Sequence, residues 1–90
     1  MRILHLNLKG EYFDAIARGE KKEEYRLVND YWTKRLVNRE YDSILIKRGY
    51  PKHNDFMNCV SRLYLGYEIK TITHPHFGNE PVQVYAIKVN

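Results

Sequence analysis

Near the N-terminus the chain alternates between apolar and polar residues. Leu4, Leu6 and Leu8 share one side, and His5 and Asn7 the other. That is the period of a half-buried strand. Gly10 interrupts it. Over residues 11–18 the apolar positions recur four apart, Tyr12 with Ile16 and Phe13 with Ala17, and Gly19 follows. This predicts a short amphipathic helix closed by a glycine able to take left-handed backbone. Residues 21–28 read as extended. Asn29 or Asp30 caps a second helix, whose apolar stripe is Tyr31, Trp32, Leu36 and Val37. Ile44, Leu45 and Ile46 predict a short buried strand within residues 42–47, followed by a polar, turn-rich loop over 48–55. Residues 56–61 fit helix and strand equally well. Residues 62–73 alternate, with Leu63, Leu65, Tyr67 and Ile69 on one side and Gly66 marking a bulge or bend. A proline-containing turn leads into a last strand over 82–89, so the end of the chain reads as an antiparallel hairpin.

The order is strand, helix, strand, helix, and then three strands. It predicts an α+β fold of about five mostly antiparallel strands with two or three short helices. A strongly curved sheet or small barrel, with helices over its openings, suits this length. Ninety residues make one domain, residues 1–90.

Lysine and arginine total 15 against 11 acids, a net charge of +4. That favours an anionic partner, nucleic acid being the commonest, and equally serves solubility. Eight tyrosines, three phenylalanines and one tryptophan tilt the balance toward nucleic acid, since exposed rings stack on bases. Many of them must instead fill the core; Tyr31 and Trp32 on the second helix could offer a stacking surface, but the reading favours a core role for Trp32. The single cysteine, Cys59, excludes an internal disulfide and fits a reducing cytosol, where it reads as a buried spectator thiol. No stretch reaches the ~20 apolar residues of a membrane span, and the N-terminus lacks a signal peptide's apolar run. The expectation is a cytoplasmic protein without membrane contact.

Three groups of residues carry chemistry. Lys21, Lys22, Glu24 and Arg26 lie in one charged stretch. In an extended chain Glu24 and Arg26 point to one side and Lys21 to the other, so a bend after Gly19 is needed to unite them. United, they can hold a carbonyl or phosphate and move a proton; left apart, they are a solvated edge. Lys47, Arg48, Tyr50, Lys52 and His53 surround a glycine, a pattern that grips a phosphate backbone and stacks one base, or else a plain basic loop. Thr73, His74 and His76 read as a cap over a cleft. Two histidines without a cysteine pair or acidic partner at ligand spacing do not make a metal site. No metal or other cofactor is expected.

The spacing Gly19-x-Lys21-x-x-Glu24-x-Arg26, after a first strand and short helix, resembles the signature of the ASCH domain family of the PUA-like superfamily. The likeness in element order extends over essentially the whole chain, in minimal form. It implies a PUA-like β-barrel of five or six strands, with the signature residues lining a cleft at one end, and an association with RNA or RNA processing. One branch of the family removes the acyl group from acetylated cytidine and another cleaves single-stranded RNA. The deacylating branch has a threonine where this chain has Glu24, which argues against transferring that activity. The leading expectation is a domain that binds RNA or a nucleotide, with Arg26, Lys22, Arg48, Tyr50, Lys52 and His74 as ligand contacts. The alternative is a small hydrolase acting on RNA or a modified nucleoside, with Lys21 and Glu24 catalytic. A third is a protein-interaction module. Oligomeric state is not legible.

Overall fold

The computed structural model describes residues 2–49 and 56–90. Among them are six strands in two three-stranded sheets and two α-helices. The order is β1 (Ile3–Leu8), α1 (Gly10–Ala17), β2 (Glu23–Leu27), α2 (Asp30–Leu36), β3 (Ser43–Arg48), a 3-10 turn (Phe56–Asn58), β4 (Cys59–Leu63), β5 (Tyr67–Ile72), a second 3-10 turn (Pro75–Phe77) and β6 (Val82–Lys88). One sheet runs β1-β3-β4, the other β2-β6-β5. Three of the four pairings are antiparallel; β1 and β3 are parallel, joined through a crossover that contains both helices. The two sheets are not hydrogen-bonded into one closed barrel.

The alternation in β1 sets the inner face. Leu4, Leu6 and Leu8 are buried with Ile44 and Ile46 of β3. Phe13 and Ile16 from α1, Leu36 from α2, and Tyr85, Ile87 and Val89 from the last strand and its end complete the core. Asn29 caps α2 by accepting a hydrogen bond from the Trp32 amide at 3.0 Å. Of the stripe predicted on α2, only Leu36 is buried. Tyr31 is exposed and lies against the Arg35 guanidinium, 3.5 Å from the ring centroid.

The single strand predicted over 62–73 is two strands. β4 belongs to the first sheet and β5 to the second, and the chain passes between them at Gly66, whose φ is +88°. The bend also reverses the alternation. Val60 and Arg62 lie beside Ile46 and Ile44, so even positions face inward in β4. Tyr67 lies beside Ile87 and packs against the core, so β5 begins with an odd position facing inward. The predicted apolar side therefore dissolves: Leu63 is 73% exposed and Leu65 57%. Ile69, opposite Tyr85 on an edge strand, is also 57% exposed. Cys59, expected to be buried, is half-buried in β4. No helix among the described residues is long and apolar enough to cross a membrane.

Candidate functional site

β2 begins at Glu23, two residues later than predicted. Lys21 and Lys22 belong to the connection from α1, and the geometry of that connection places Lys21. The Gly19 amide bonds the Ile16 carbonyl and the Glu20 amide the Ala15 carbonyl, both at 2.9 Å. These are the two bonds of a Schellman motif, and Gly19 supplies the positive φ of +80° that it requires. The Lys21 amide also bonds the Ala15 carbonyl, at 3.1 Å. Asn90 fastens the same stretch from the other side, its amide nitrogen donating to the Lys21 carbonyl at 2.6 Å and the Ile16 carbonyl at 3.1 Å. The chain thus folds back under the helix before β2 starts. Lys21 comes round to the side on which Glu24 lies.

Glu24 and Arg26 sit two apart on β2 and share its core-facing side, next to Ile87 and Tyr85 of β6. Glu24 is only 5% exposed. A buried carboxylate needs partners, and it has two. Arg26 Nη1 donates to Oε2 at 2.6 Å, and Lys21 Nζ stands 3.6 Å from Oε1. The Arg26 guanidinium is engaged on three sides. Beyond Glu24 it donates to the carbonyls of Tyr25 at 3.1 Å and Asn7 at 3.0 Å, and it lies 5.2 Å from the Trp32 ring. Lys21 Nζ lies between two rings, 4.7 Å from Tyr25 and 5.5 Å from Tyr12.

These side chains line a cleft of about 400 Å³. β1 contributes His5, Asn7 and Leu8, with Lys9 beyond it; α1 contributes Tyr12; β2 contributes Glu24, Tyr25, Arg26 and Leu27. Asn29, Tyr31 and Trp32 border it at the start of α2, and His74, His76 and Phe77 from the second 3-10 turn. The cleft follows the facing edges of β1 and β2, the outermost strands of their sheets on this side. That position explains why both faces of β2 reach it. Three cations, Lys9, Lys21 and Arg26, face one carboxylate, so the site is net positive.

Two histidines hold the 3-10 turn against α1. Tyr12 meets His74 and His76 edge-on, at centroid separations of 6.0 and 6.1 Å. His74 Nδ1 accepts from the His76 amide at 3.1 Å, which leaves the proton of a neutral imidazole on Nε2. Burial, and then Glu23, push the Tyr25 phenol above its usual range, so it remains a neutral hydroxyl. Burial, and then the Lys47 charge, lower the His5 imidazole.

Lys21, Glu24, Arg26 and His74 are thus brought together. Lys22 and Arg48 are not. The Lys22 ammonium donates to the Gly19 carbonyl at 2.8 Å, away from the cleft. Arg48 lies over Gly10 and pairs with Asp14 at 3.6 Å. Tyr50 and Lys52, with His53, lie outside the described residues. Of the predicted cap, His74 and His76 line the cleft and Thr73 does not. No cluster of metal-ligating side chains occurs among the described residues. Asn7, Tyr12 and Tyr25 were not anticipated as site residues. The polar side of β1 was visible in the alternation, but nothing local says that it borders β2. Trp32 combines the two roles weighed for it: it packs against the core in part and borders the cleft.

Comparison of the chain with protein-family models, with curated proteins and with solved structures gave no match.

Proposed function

We propose that this chain is an ASCH-type domain that binds RNA or a nucleotide in the cleft between β1 and β2. One observation carries the reading. Lys21, Glu24 and Arg26, scattered over both sides of an extended chain by their spacing, converge on one concave site beside Tyr12, Tyr25 and Trp32. Cations, an acceptor and ring faces side by side are what a nucleotide needs. The strand arrangement supports the PUA-like part of the reading. β4 runs on into β5 through three residues, and β1 and β2 are bridged by the Arg26–Asn7 hydrogen bond. A PUA-like barrel in the order β1-β3-β4-β5-β6-β2 would have to close across β4–β5 and β1–β2, where no ladder joins the two sheets.

The test is fluorescence anisotropy of a labelled single-stranded RNA oligomer across a salt series. Binding should weaken steeply with salt, because neutralised phosphates release counterions, and should weaken about tenfold or more on Lys21→Ala. Absence of binding at low salt, or binding unchanged by Lys21→Ala and Arg26→Ala, removes the proposal.

A second reading, a hydrolase, is favoured by the Lys21–Glu24 approach of 3.6 Å at the cleft wall. Product formation from RNA or an acylated nucleoside that disappears in Glu24→Gln supports it; no product removes it.

A further inference from the structure

Resting on that reading, we infer that a ligand enters this cleft base first. The Lys21–Glu24 pair reads the edge of one neutral nucleobase, and the phosphate stays at the rim.

Glu24 Oε2 is held by Arg26 at 2.6 Å, whereas among the described residues Oε1 has only the Lys21 ammonium at 3.6 Å, too long for a hydrogen bond. Oε1 therefore keeps its capacity to accept. Among the described residues Lys21 Nζ donates no hydrogen bond; its neighbours are that oxygen and the rings of Tyr12 and Tyr25. The inner end of the cleft offers one strong acceptor beside one strong donor. A nucleobase edge presents the complement, an N–H next to a carbonyl or ring nitrogen.

Phosphate does not fit the same place. An oxygen hydrogen-bonded to Lys21 at roughly 2.8 Å would lie within about 6 Å of Oε1, since the ammonium itself is 3.6 Å from that oxygen. The Arg26 charge is already committed to Glu24 Oε2, so an anion there would meet Lys21 alone and stand near Oε1, with weak screening beside a residue only 5% exposed. A neutral edge avoids this cost. Exposed Lys9 and His76, on the rim, are where an anion meets no carboxylate of the cleft. A cleft of about 400 Å³ is also at the small end of ligand pockets. It takes one base with its sugar, not a stacked run.

The experiment compares four uncharged nucleosides, inorganic phosphate and a single-stranded RNA oligomer, by calorimetry and amide chemical-shift mapping. The proteins are the parent, Glu24→Gln and Lys21→Met; the second variant leaves the Glu24–Arg26 pair in place. At least one nucleoside should bind the parent and compete with RNA, and inorganic phosphate should not displace it. Each variant should weaken that nucleoside roughly tenfold or more, the loss of one charge-assisted hydrogen bond, and Glu24→Gln should bind phosphate more tightly than the parent. Displacement by phosphate, or nucleoside binding unchanged in folded variants, overturns the inference. RNA binding that maps to the cleft without any nucleoside binding overturns it alone. If neither RNA nor nucleosides bind, it falls together with the proposed function.

Discussion

The guanidinium of Arg26 in β2 donates to the backbone carbonyl of Asn7 in β1 at 3.0 Å. One side chain thus spans two sheet edges that share no ladder, while its other nitrogen neutralises Glu24. Arg26 is in this view a pin first and a ligand contact second. Arg26→Ala would leave a buried carboxylate without its nearest partner, a change that costs about 3 kcal/mol. Arg26→Lys should recover less than half of this, because an ammonium cannot fork between Glu24 and Asn7. Urea denaturation of the two variants measures both losses.

Lys21 and Lys22 are adjacent in sequence and differ in placement. Lys22→Ala should leave RNA binding within about twofold of the parent. Lys21→Ala should weaken it about tenfold or more, in line with the loss of one charge-assisted contact. Anisotropy titrations at a single low salt concentration separate the two.

Trp32 is the only tryptophan in the chain, and it borders the cleft 5.2 Å from the Arg26 guanidinium. Its emission is a reporter that needs no label. Nucleotide or RNA binding should change it saturably, and Lys21→Ala should shift the titration to higher ligand concentration. An emission spectrum indifferent to a ligand that calorimetry shows to be bound would place that ligand elsewhere.

The bend at Gly66 gives a purely conformational prediction. A Cβ there would meet nothing within 4 Å, but the φ of +88° disfavours any L side chain. Gly66→Ala should cost about 1–2 kcal/mol, and Gly66→Asn less, since asparagine tolerates left-handed backbone. Thermal unfolding of both variants checks the order. The same bend explains where reading the sequence stops working. β1, α1 and the β5–β6 hairpin follow from local periodicity and end signals, and Leu4, Ile16 and Gly19 are found where those signals put them. Leu63 and Leu65 are not, because one glycine moves the chain to another sheet and reverses its alternation. The site was half legible for a related reason. Glu24 and Arg26 share a side by strand geometry, whereas Lys21 reaches them only through the Schellman turn and Asn90, a contact across 69 positions.

His5 contributes a pH dependence just below neutrality. Its imidazole titrates below the ordinary value of about 6.5, mainly through burial and then through Lys47. The unfolded chain therefore binds a proton more readily than the folded one. Stability is full above about 6.5 and falls as the pH drops toward the folded value. The effect is small because His5 is largely exposed. Proton NMR of the ring should show the low midpoint, and Lys47→Gln should raise it without restoring the ordinary value.

The pairing of β2 also sets a timetable. Its one ladder partner is β6, with Glu24 opposite Ile87 and Arg26 opposite Tyr85. Residues 21–26 are made before residues 82–88, which among the described residues supply the strand they lie against. Until then the two cations and the carboxylate lack the strand that fixes their side. The cleft is therefore assembled late, and a nascent chain stalled before β6 carries the recognition residues without being able to recognise anything.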